Sequence, residues 1–136
     1  MDPLVGIWRL VDSRAWDEQG NRLPMPYGAH PIGQIAFSNG RTLAAVCNGD
    51  GDVGAGNKRA FSSYGGPYDF DGTTLTTHVD IASDPTRIGG KQTRGVIMIG
   101  EDRMVLHPPT RPYGGVVQRR ELVWERIWRP GDDDPK

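Results

Sequence analysis

Residues 32–47 read IGQIAFSNGRTLAAVC, and they carry the strongest structural signal in the chain. The two halves, 32–37 and 41–47, are rich in residues that form strands. Between them lies Asn39-Gly40, which supplies the two positive-φ positions of a type I′ turn, and the twist of that turn suits two antiparallel strands. The stretch therefore predicts a β-hairpin.

Runs of strand-forming residues recur on both sides of this hairpin. They predict strands at 4–16, 32–37, 41–47, 59–70, 74–82, 92–99, 103–107 and 116–128. Gly65-Gly66-Pro67 predicts a bulge or bend in the fourth strand, and no window shows the sustained 3.6-residue period of a helix. Sequential antiparallel strands of this number close into a barrel, because closure removes exposed sheet edges. The predicted fold is therefore all-β, an eight-stranded antiparallel up-and-down β-barrel.

The length and charge of the chain limit the classes of protein to consider. With 136 residues, the chain has the size of one domain. We expect that domain over residues 1–130 and a disordered polar tail over 131–136. Lys and Arg number 16 and Asp and Glu 17, which gives a net charge of -1. This balance weighs against a nucleic-acid binder, which usually carries a basic excess, and against a polybasic membrane anchor.

Cys47 is the only cysteine, so no intrachain disulfide can form and the chain fits a reducing compartment. The N-terminus lacks the basic stretch and apolar run of a signal peptide. The apolar runs are far shorter than the roughly 20 residues of a membrane helix. We therefore expect a cytoplasmic protein without a membrane partner.

Two short motifs resemble the signature of a known superfamily. Gly6-Ile7-Trp8 is similar to the Gly-x-Trp motif of lipocalins, and Trp124-Glu125-Arg126 lies where that superfamily places an arginine over the tryptophan. The whole chain resembles more closely the small bacterial lipocalin-like domain family. The matching segments, in order, are 4–11, 28–33, 39–41, 64–68, 77–80, 89–94 and 122–126.

The resemblance implies a lipocalin-like barrel in which Arg126 stacks on Trp8 at the closed end and neither residue touches a ligand. It leaves function open, because barrels of this kind host carriers and enzymes alike. The chain departs from the family at Thr77, a position that often carries a second histidine beside the one at His78. A role that needs this pair of histidines is therefore in doubt here.

Alternation along a strand predicts which side chains point into the barrel. On the last strand Arg120, Leu122, Trp124 and Arg126 share the face that buries the tryptophan. On the strand at 74–82 the apolar face consists of Leu75, Thr77, Val79 and Ile81. This places His78 and Asp80 outside, unless a bulge turns His78 inward as an acid or base. On the strand at 92–99 the resemblance favours the face of Arg94, Val96 and Met98.

Polar residues on these faces are candidates for ligand recognition. A buried arginine stays charged and needs an acceptor, so Arg94 and Arg120 form ion pairs with a carboxylate of the barrel, extend to solvent at its rim, or bind a carboxylate, enolate or phenolate of a ligand. Tyr64 and Tyr68 either supply hydroxyl donors or belong to the aromatic core. The predicted ligand-binding residues are Tyr64, Thr77, Val79, Met98, Arg120, Leu122 and Trp124, and the catalytic candidates are His78, Arg94 and Tyr68.

Two functions follow from such a cavity. The first is binding of a small, mostly apolar or amphipathic molecule that bears a carbonyl, phenol or carboxylate. The alternative is a cofactor-free isomerase, cyclase or dehydratase acting on a polyketide-like or other carbonyl substrate. We expect no cofactor, and no metal because His30, His78 and His107 lie far apart in sequence. Exposed aromatic and apolar side chains at strand ends leave a homodimer open: Trp16, Ile127 and Trp128.

Overall fold

The structure, a computed structural model, describes residues 2–132. Residues 133–136 of the predicted tail lie outside the described part. The strands are β1 (Gly6–Trp16), β2 (Pro31–Ser38), β3 (Arg41–Asn48), β4 (Phe61–Phe70), β5 (Thr74–His78), β6 (Ile81–Ala82), β7 (Lys91–Ile99), β8 (Arg103–His107), β9 (Arg111–Tyr113) and β10 (Val116–Trp128). A single 3₁₀ turn, Pro85–Arg87, precedes β7. Over residues 2–132 no helix has the length and apolar character needed to cross a membrane.

Eight of these strands form a closed barrel. Each strand pairs antiparallel with the next in the order β1-β2-β3-β4-β5-β7-β8-β10, and β10 returns to pair with β1. The short strands β6 and β9 add to β4 and β10 respectively. The predicted eight-stranded antiparallel up-and-down β-barrel is confirmed, and its form is consistent with a lipocalin-like fold.

The hairpin of residues 32–47 forms as the sequence predicts. Asn39 and Gly40 have φ values of 52° and 72°, the positive values that a type I′ turn requires. From this turn β2 and β3 pair without interruption, from Ser38 opposite Arg41 to Pro31 opposite Asn48. The β2–β3 hairpin therefore forms one regular side of the barrel.

The two ends of the barrel differ in how they are covered. At one end the strands are joined by tight turns at 39–40, 71–73 and 100–102, and the N-terminal residues lie against it. Leu4 is fully buried there, and its carbonyl accepts a hydrogen bond from the indole Nε1 of Trp8 at 2.9 Å. At the other end the strands are joined by longer segments, residues 17–30, 49–60, 83–90 and 108–115. We call these the closed end and the open end.

Apolar side chains fill the interior toward the closed end. The core contains Trp8, Phe37, Leu75, Met104 and Trp124, each no more than 2% exposed. With roughly 25 cal/mol per Å² of apolar surface removed from water, this cluster is the main stabilising element of the fold. The space left for a ligand therefore lies toward the open end.

The predicted strand 74–82 is divided in two. Gly66 has a φ of 153°, and a side chain at this position would overlap the carbonyl oxygen of His78. The pairing of Tyr68 with Thr77 changes to Tyr64 with Ala82, a shift of one residue. A one-residue shift moves side chains to the opposite face of a sheet.

Leu75, Thr77 and Val79 are buried, as alternation predicts, but Ile81 is 58% exposed. Its predicted inward position is therefore wrong, because the shift at Gly66 intervenes. His78 lies before the break and stays outside the barrel, where its side chain is 44% exposed.

Candidate functional site

A cleft of about 640 Å³ enters the barrel at the open end. Inward positions of β4, β7 and β10 form its walls, and residues of the open-end connections form its rim. Its lining consists of Tyr27, Phe61, Ser62, Ser83, Asp84, Thr86, Arg87, Lys91, Gln92, Thr93, Arg94, Pro108, Pro109, Arg111, Tyr113, Arg120 and Leu122. We call this space the open-end cleft.

The lining of the cleft is strongly cationic. It includes Lys91 and four arginines, Arg87, Arg94, Arg111 and Arg120, against the single carboxylate of Asp84. That carboxylate already accepts hydrogen bonds from the amide and the hydroxyl of Thr86, at 3.0 and 2.7 Å. Positive charge in the cleft therefore greatly exceeds negative charge.

The four cleft arginines also lack carboxylate partners. Within residues 2–132, no Asp or Glu oxygen lies within 4.0 Å of the guanidinium groups of these arginines. On the outside of the barrel, by contrast, Arg9 and Arg103 both reach Glu125, at 3.2 and 3.4 Å. The alternative interpretation of Arg94 and Arg120 as members of internal ion pairs therefore has no support in this geometry.

Neutral glutamines orient two of the arginines. Arg94 Nη2 donates to Gln92 Oε1 at 2.6 Å, and Arg120 Nε donates to Gln118 Oε1 at 3.2 Å. In both pairs the glutamine precedes the arginine by two residues, so the two side chains share the inward face of one strand. An amide fixes the guanidinium without neutralising it. Arg94 Nη1 also donates to the Thr93 carbonyl at 2.9 Å, which is another uncharged acceptor, so the charge of Arg94 stays available to an anion.

Tyrosine rings contact three of the cleft arginines. The guanidinium carbons of Arg120 and Arg111 lie 3.5 and 4.6 Å from the centre of the Tyr113 ring. Arg87 stacks on Tyr64 at 4.9 Å and donates to the Ser62 hydroxyl at 2.8 Å. Such cation–π contacts stabilise closely spaced positive charges, each by roughly 0.5–2 kcal/mol.

Tyr27 is a cleft residue that the sequence analysis missed. It lies in the Pro-rich connection 22–31, and its backbone amide donates to the buried Ser13 hydroxyl at 3.1 Å. Burial raises the pKa of the Tyr27 phenol, and the positive charges of Arg120 and Arg94 partly oppose that rise. Burial also lowers the pKa of Arg120, which nevertheless stays charged at neutral pH. Tyr27 therefore presents a neutral phenol beside both arginines.

Three of the predicted site residues line the cleft: Arg94, Arg120 and Leu122. Tyr64 borders it through its contact with Arg87. The cleft also includes Arg87, Arg111, Tyr27 and Tyr113. No local sequence pattern indicates these residues, because all four lie in the open-end connections or beside them.

The other predicted ligand-binding residues lie elsewhere. Thr77, Val79 and Trp124 are at most 3% exposed within the packed interior, and the Thr77 hydroxyl donates to that of Thr42 at 3.1 Å. Met98 packs against the core near the closed end and lines a separate pocket of about 550 Å³ beside Arg126. Thr77, Val79 and Trp124 therefore belong to the packed interior, and Met98 faces a different pocket from the open-end cleft.

The three catalytic candidates are not brought together. Arg94 lines the cleft, whereas the Tyr68 hydroxyl donates to the Asp2 carboxylate at the closed end and its ring meets Phe37 edge-on at 5.2 Å. His78 lies outside the barrel with a ring nitrogen 2.9 Å from Asp69 Oδ2.

The structure contains no candidate metal site in the part of the chain that it describes, because no three His, Cys, Asp or Glu residues there are grouped so that they could hold a metal ion.

Comparison with known proteins adds no identification, because neither a family profile nor a curated protein matches the chain. Membership of the lipocalin-like domain family therefore stays a prediction from the sequence motifs. The proposal for the function therefore depends on the positive charge and the aromatic rim of the open-end cleft.

Proposed function

We propose that the chain binds a small amphipathic molecule in the open-end cleft, with a carboxylate or phenolate of the ligand held by Arg94 and Arg120. The observation that carries this proposal is the group of four arginines with no carboxylate within 4.0 Å among residues 2–132. Arg94 and Arg120 are partly buried, and a partly buried cation without a counter-ion is costly, because burial disfavours the charged form. An anionic ligand offsets that cost through charge-assisted hydrogen bonds.

The flat surfaces of the cleft favour an aromatic body for this ligand. Tyr27, Tyr113 and Leu122 supply part of the apolar area of the lining, and Phe61, Pro108 and Pro109 supply the rest. The volume of about 640 Å³ lies within the range of roughly 300–1,000 Å³ typical of small-molecule sites. Because the deeper interior is filled by the core, the apolar part of the ligand is expected to be compact and not a long chain.

Binding is preferred over catalysis because of what lines the cleft. Of the three predicted catalytic residues, only Arg94 lies there. The lining contains no histidine, and its one carboxylate is already hydrogen-bonded to Thr86. General acid–base catalysis is most effective with a group whose pKa lies near the operating pH. Burial raises the pKa of the Tyr27 phenol away from that range, so the cofactor-free isomerase, cyclase or dehydratase has less support.

The test uses aromatic probes that differ only in charge. Thermal unfolding of the chain is followed with increasing 2-naphthoate and, separately, with the neutral 2-naphthamide. A ligand that binds the folded state raises its apparent stability, by about 2.7 kcal/mol at a hundredfold excess over its Kd. We expect the anion to raise the Tm in a saturable way and the amide to raise it much less.

Matched variants connect this effect to the cleft. Arg94→Gln and Arg120→Gln should each remove most of the naphthoate-dependent rise in Tm. The control is Arg119→Gln, on the same strand, whose guanidinium stacks outside on Trp16 at 4.1 Å. A Tm that no aromatic carboxylate or phenolate raises, or an equal loss in the Arg119 variant, contradicts the proposal.

A further inference from the structure

The outer surface of the barrel has two unlike halves. Over β1, β8 and β10 it carries interleaved charges, such as Arg14 with Glu121 at 3.7 Å and Arg9 with Glu125 at 3.2 Å. Over β2, β3, β4 and β6 the outward residues carry two charges, both toward the closed end: Arg41, which pairs with Asp80 at 2.6 Å, and Asp69, which lies 2.9 Å from His78. We call the uncharged remainder of this half the neutral face: Ile32, Gln34, Ala36, Leu43, Ala45, Cys47, Phe61, Ser63, Gly65 and Ile81.

The neutral face is unusually apolar for a surface in water. Four of its large side chains, those of Ile32, Leu43, Phe61 and Ile81, are 58–61% exposed. Scattered exposed apolar residues are normal in soluble proteins, but a contiguous patch without charges marks an interaction site. Here the four residues lie on adjacent strands of one regular sheet.

The register of the sheet arranges these side chains in two rows. Ile32, Cys47 and Phe61 are aligned across β2, β3 and β4 near the open end. Ala36, Leu43, Gly65 and Ile81 are aligned nearer the closed end. Between the rows lie Gln34, Ala45 and Ser63, which are small or uncharged. On β3 the two rows are therefore equally distant from Ala45, two residues to either side.

This symmetry makes the face complementary to itself. Two copies can meet face to face about a two-fold axis that runs along the row of Gln34, Ala45 and Ser63. In this arrangement the strands of the second copy run in the opposite direction, and its two outer rows change places. Leu43 of one copy then faces Cys47 of the other, and Phe61 faces Gly65. Gly65 has no side chain, and the atoms Leu43 Cδ1 and Ile81 Cγ2 flank it, at 3.2 and 3.3 Å from where a Cβ would lie. The largest side chain of one row thus meets the smallest position of the other.

We propose that two copies of this chain associate through their neutral faces, with Phe61 of each copy packed against Leu43 and Ile81 of the other. The occupant is a second copy because of this self-complementarity and because the face is uncharged, so two identical faces meet without repulsion. A charged partner surface would instead have to lose its hydration without receiving any counter-charge.

The area of the face suits a weak dimer. Four strands about 4.8 Å apart and seven residues rising about 3.3 Å each span roughly 19 by 23 Å, or about 440 Å² in projection. This projected area is about half of the roughly 800 Å² per partner of a standard interface, and the convex curvature of the barrel reduces the buried part further. We expect a dissociation constant in the micromolar range.

Sedimentation velocity from about 1 to 500 µM tests the association. We expect the wild type to shift with concentration from the 14.9 kDa monomer to twice that mass. Leu43→Glu should remain monomeric at all concentrations. The control is Ile97→Glu, which places the same charge at a 54% exposed isoleucine of β7, away from the neutral face, and should dimerise as the wild type does.

Crosslinking tests the arrangement without relying on a loss of association. Because Cys47 is the only native cysteine, Leu43→Cys should give a covalent dimer with a short bis-maleimide, which reaches the facing Cys47 of the second copy. Sheets packed face to face lie about 10 Å apart, which is too far for a direct disulfide. Ile97→Cys and the wild type should not, since their thiols lie apart in this dimer. A wild type that is monomeric at 500 µM, a Leu43→Glu variant that still dimerises, or equal crosslinking of the two cysteine variants would overturn the proposal.

Discussion

The guanidinium carbon of Arg126 lies 4.3 Å from the centre of the Trp8 ring, at the closed end of the barrel. The side chain of Arg126 is only 9% exposed, and its N–H groups donate to the carbonyls of Pro3, Val5 and Glu101. One side chain from β10 therefore holds the N-terminal segment and the β7–β8 turn against the tryptophan of β1.

Arg126→Met should lower the free energy of unfolding by about 2–4 kcal/mol, since carbonyls around a partly buried charge lose their donors. Urea unfolding measures the change. The control is Arg103→Met, whose side chain is 50% exposed and whose ion pair with Glu125 is 3.4 Å long. Exposed pairs contribute at most about 1 kcal/mol, so equal losses in the two variants would contradict a specific role for Arg126.

The hairpin at Asn39-Gly40 could be predicted from the sequence, because a short motif determines the geometry of its turn almost independently of the rest of the chain. The stacking of Arg126 on Trp8 joins the first and the last strand, so no local motif determines it; it was expected from the resemblance to lipocalins, as was the inward position of Arg94. Alternation on β10 placed Arg120 and Leu122 correctly on the inward face, because this strand is long and without interruption, so period two holds along it.

What could not be predicted depends on distant parts of the chain. Alternation along one strand predicts an inward Ile81. The register shift opposite Gly66 overturns this prediction, and it depends on how two strands pair, so the sequence of one strand does not show it. Tyr27 and Arg87 enter the cleft along the paths of irregular connections, which leave no periodic signal. The apolar cavity was expected because apolar residues point inward on several strands. Whether these side chains leave a cavity or fill the interior depends on their combined volume across all eight strands.

Thr42 and Thr77 form a buried pair that invites a double-mutant test. Their hydroxyls are 3.1 Å apart, and both side chains are at most 2% exposed. Thr77→Val or Thr42→Val alone should cost about 1–3 kcal/mol, because one buried hydroxyl loses its partner. The double variant should be more stable than the sum of the two single losses predicts, since it removes both polar groups and keeps the shape.

Urea unfolding of the wild type and the three variants gives the coupling free energy of the pair. Additive losses would show that the hydroxyl pair contributes nothing of its own. If Thr77 also contacted the ligand, Thr77→Val would change the response to 2-naphthoate; we expect that response to be unchanged.

Tyr68 should make stability fall at alkaline pH. Burial and its hydrogen bond to Asp2 raise the pKa of this phenol above its ordinary value of 10.0. The unfolded chain therefore releases the proton first. The stabilising effect is complete below pH 10 and is lost as the pH rises toward the folded-state pKa, by up to about 1.4 kcal/mol per pH unit.

Unfolding of the wild type and Tyr68→Phe is compared from pH 8 to 11.5. The variant should start less stable near neutral pH, because Asp2 loses its donor, and should then lose stability less steeply above pH 10. Tyrosinate absorbance at 295 nm should show one fewer late-titrating phenol in the variant. Parallel stability curves would contradict the raised pKa.

Gln118 allows the charge of Arg120 to be tested without removing the arginine. Its Oε1 accepts from Arg120 Nε at 3.2 Å, and Gln118→Glu keeps this geometry while adding a counter-charge. If an anionic ligand depends on the unneutralised guanidinium, the variant should bind 2-naphthoate about ten times more weakly, which corresponds to roughly 1.4 kcal/mol. The variant should also fold at least as stably as the wild type, since it gains an ion pair.

Isothermal titration measures both affinities, with Gln19→Glu, in the exposed turn after β1, as the control for added charge. Any loss of affinity for 2-naphthoate in the control should vanish at high salt, because surface charges are screened. A loss that persists at high salt in Gln118→Glu places the effect inside the cleft, where screening is weaker. Unchanged affinity in Gln118→Glu would mean that the anion does not bind at Arg120, and the role assigned to that arginine would have to be given up.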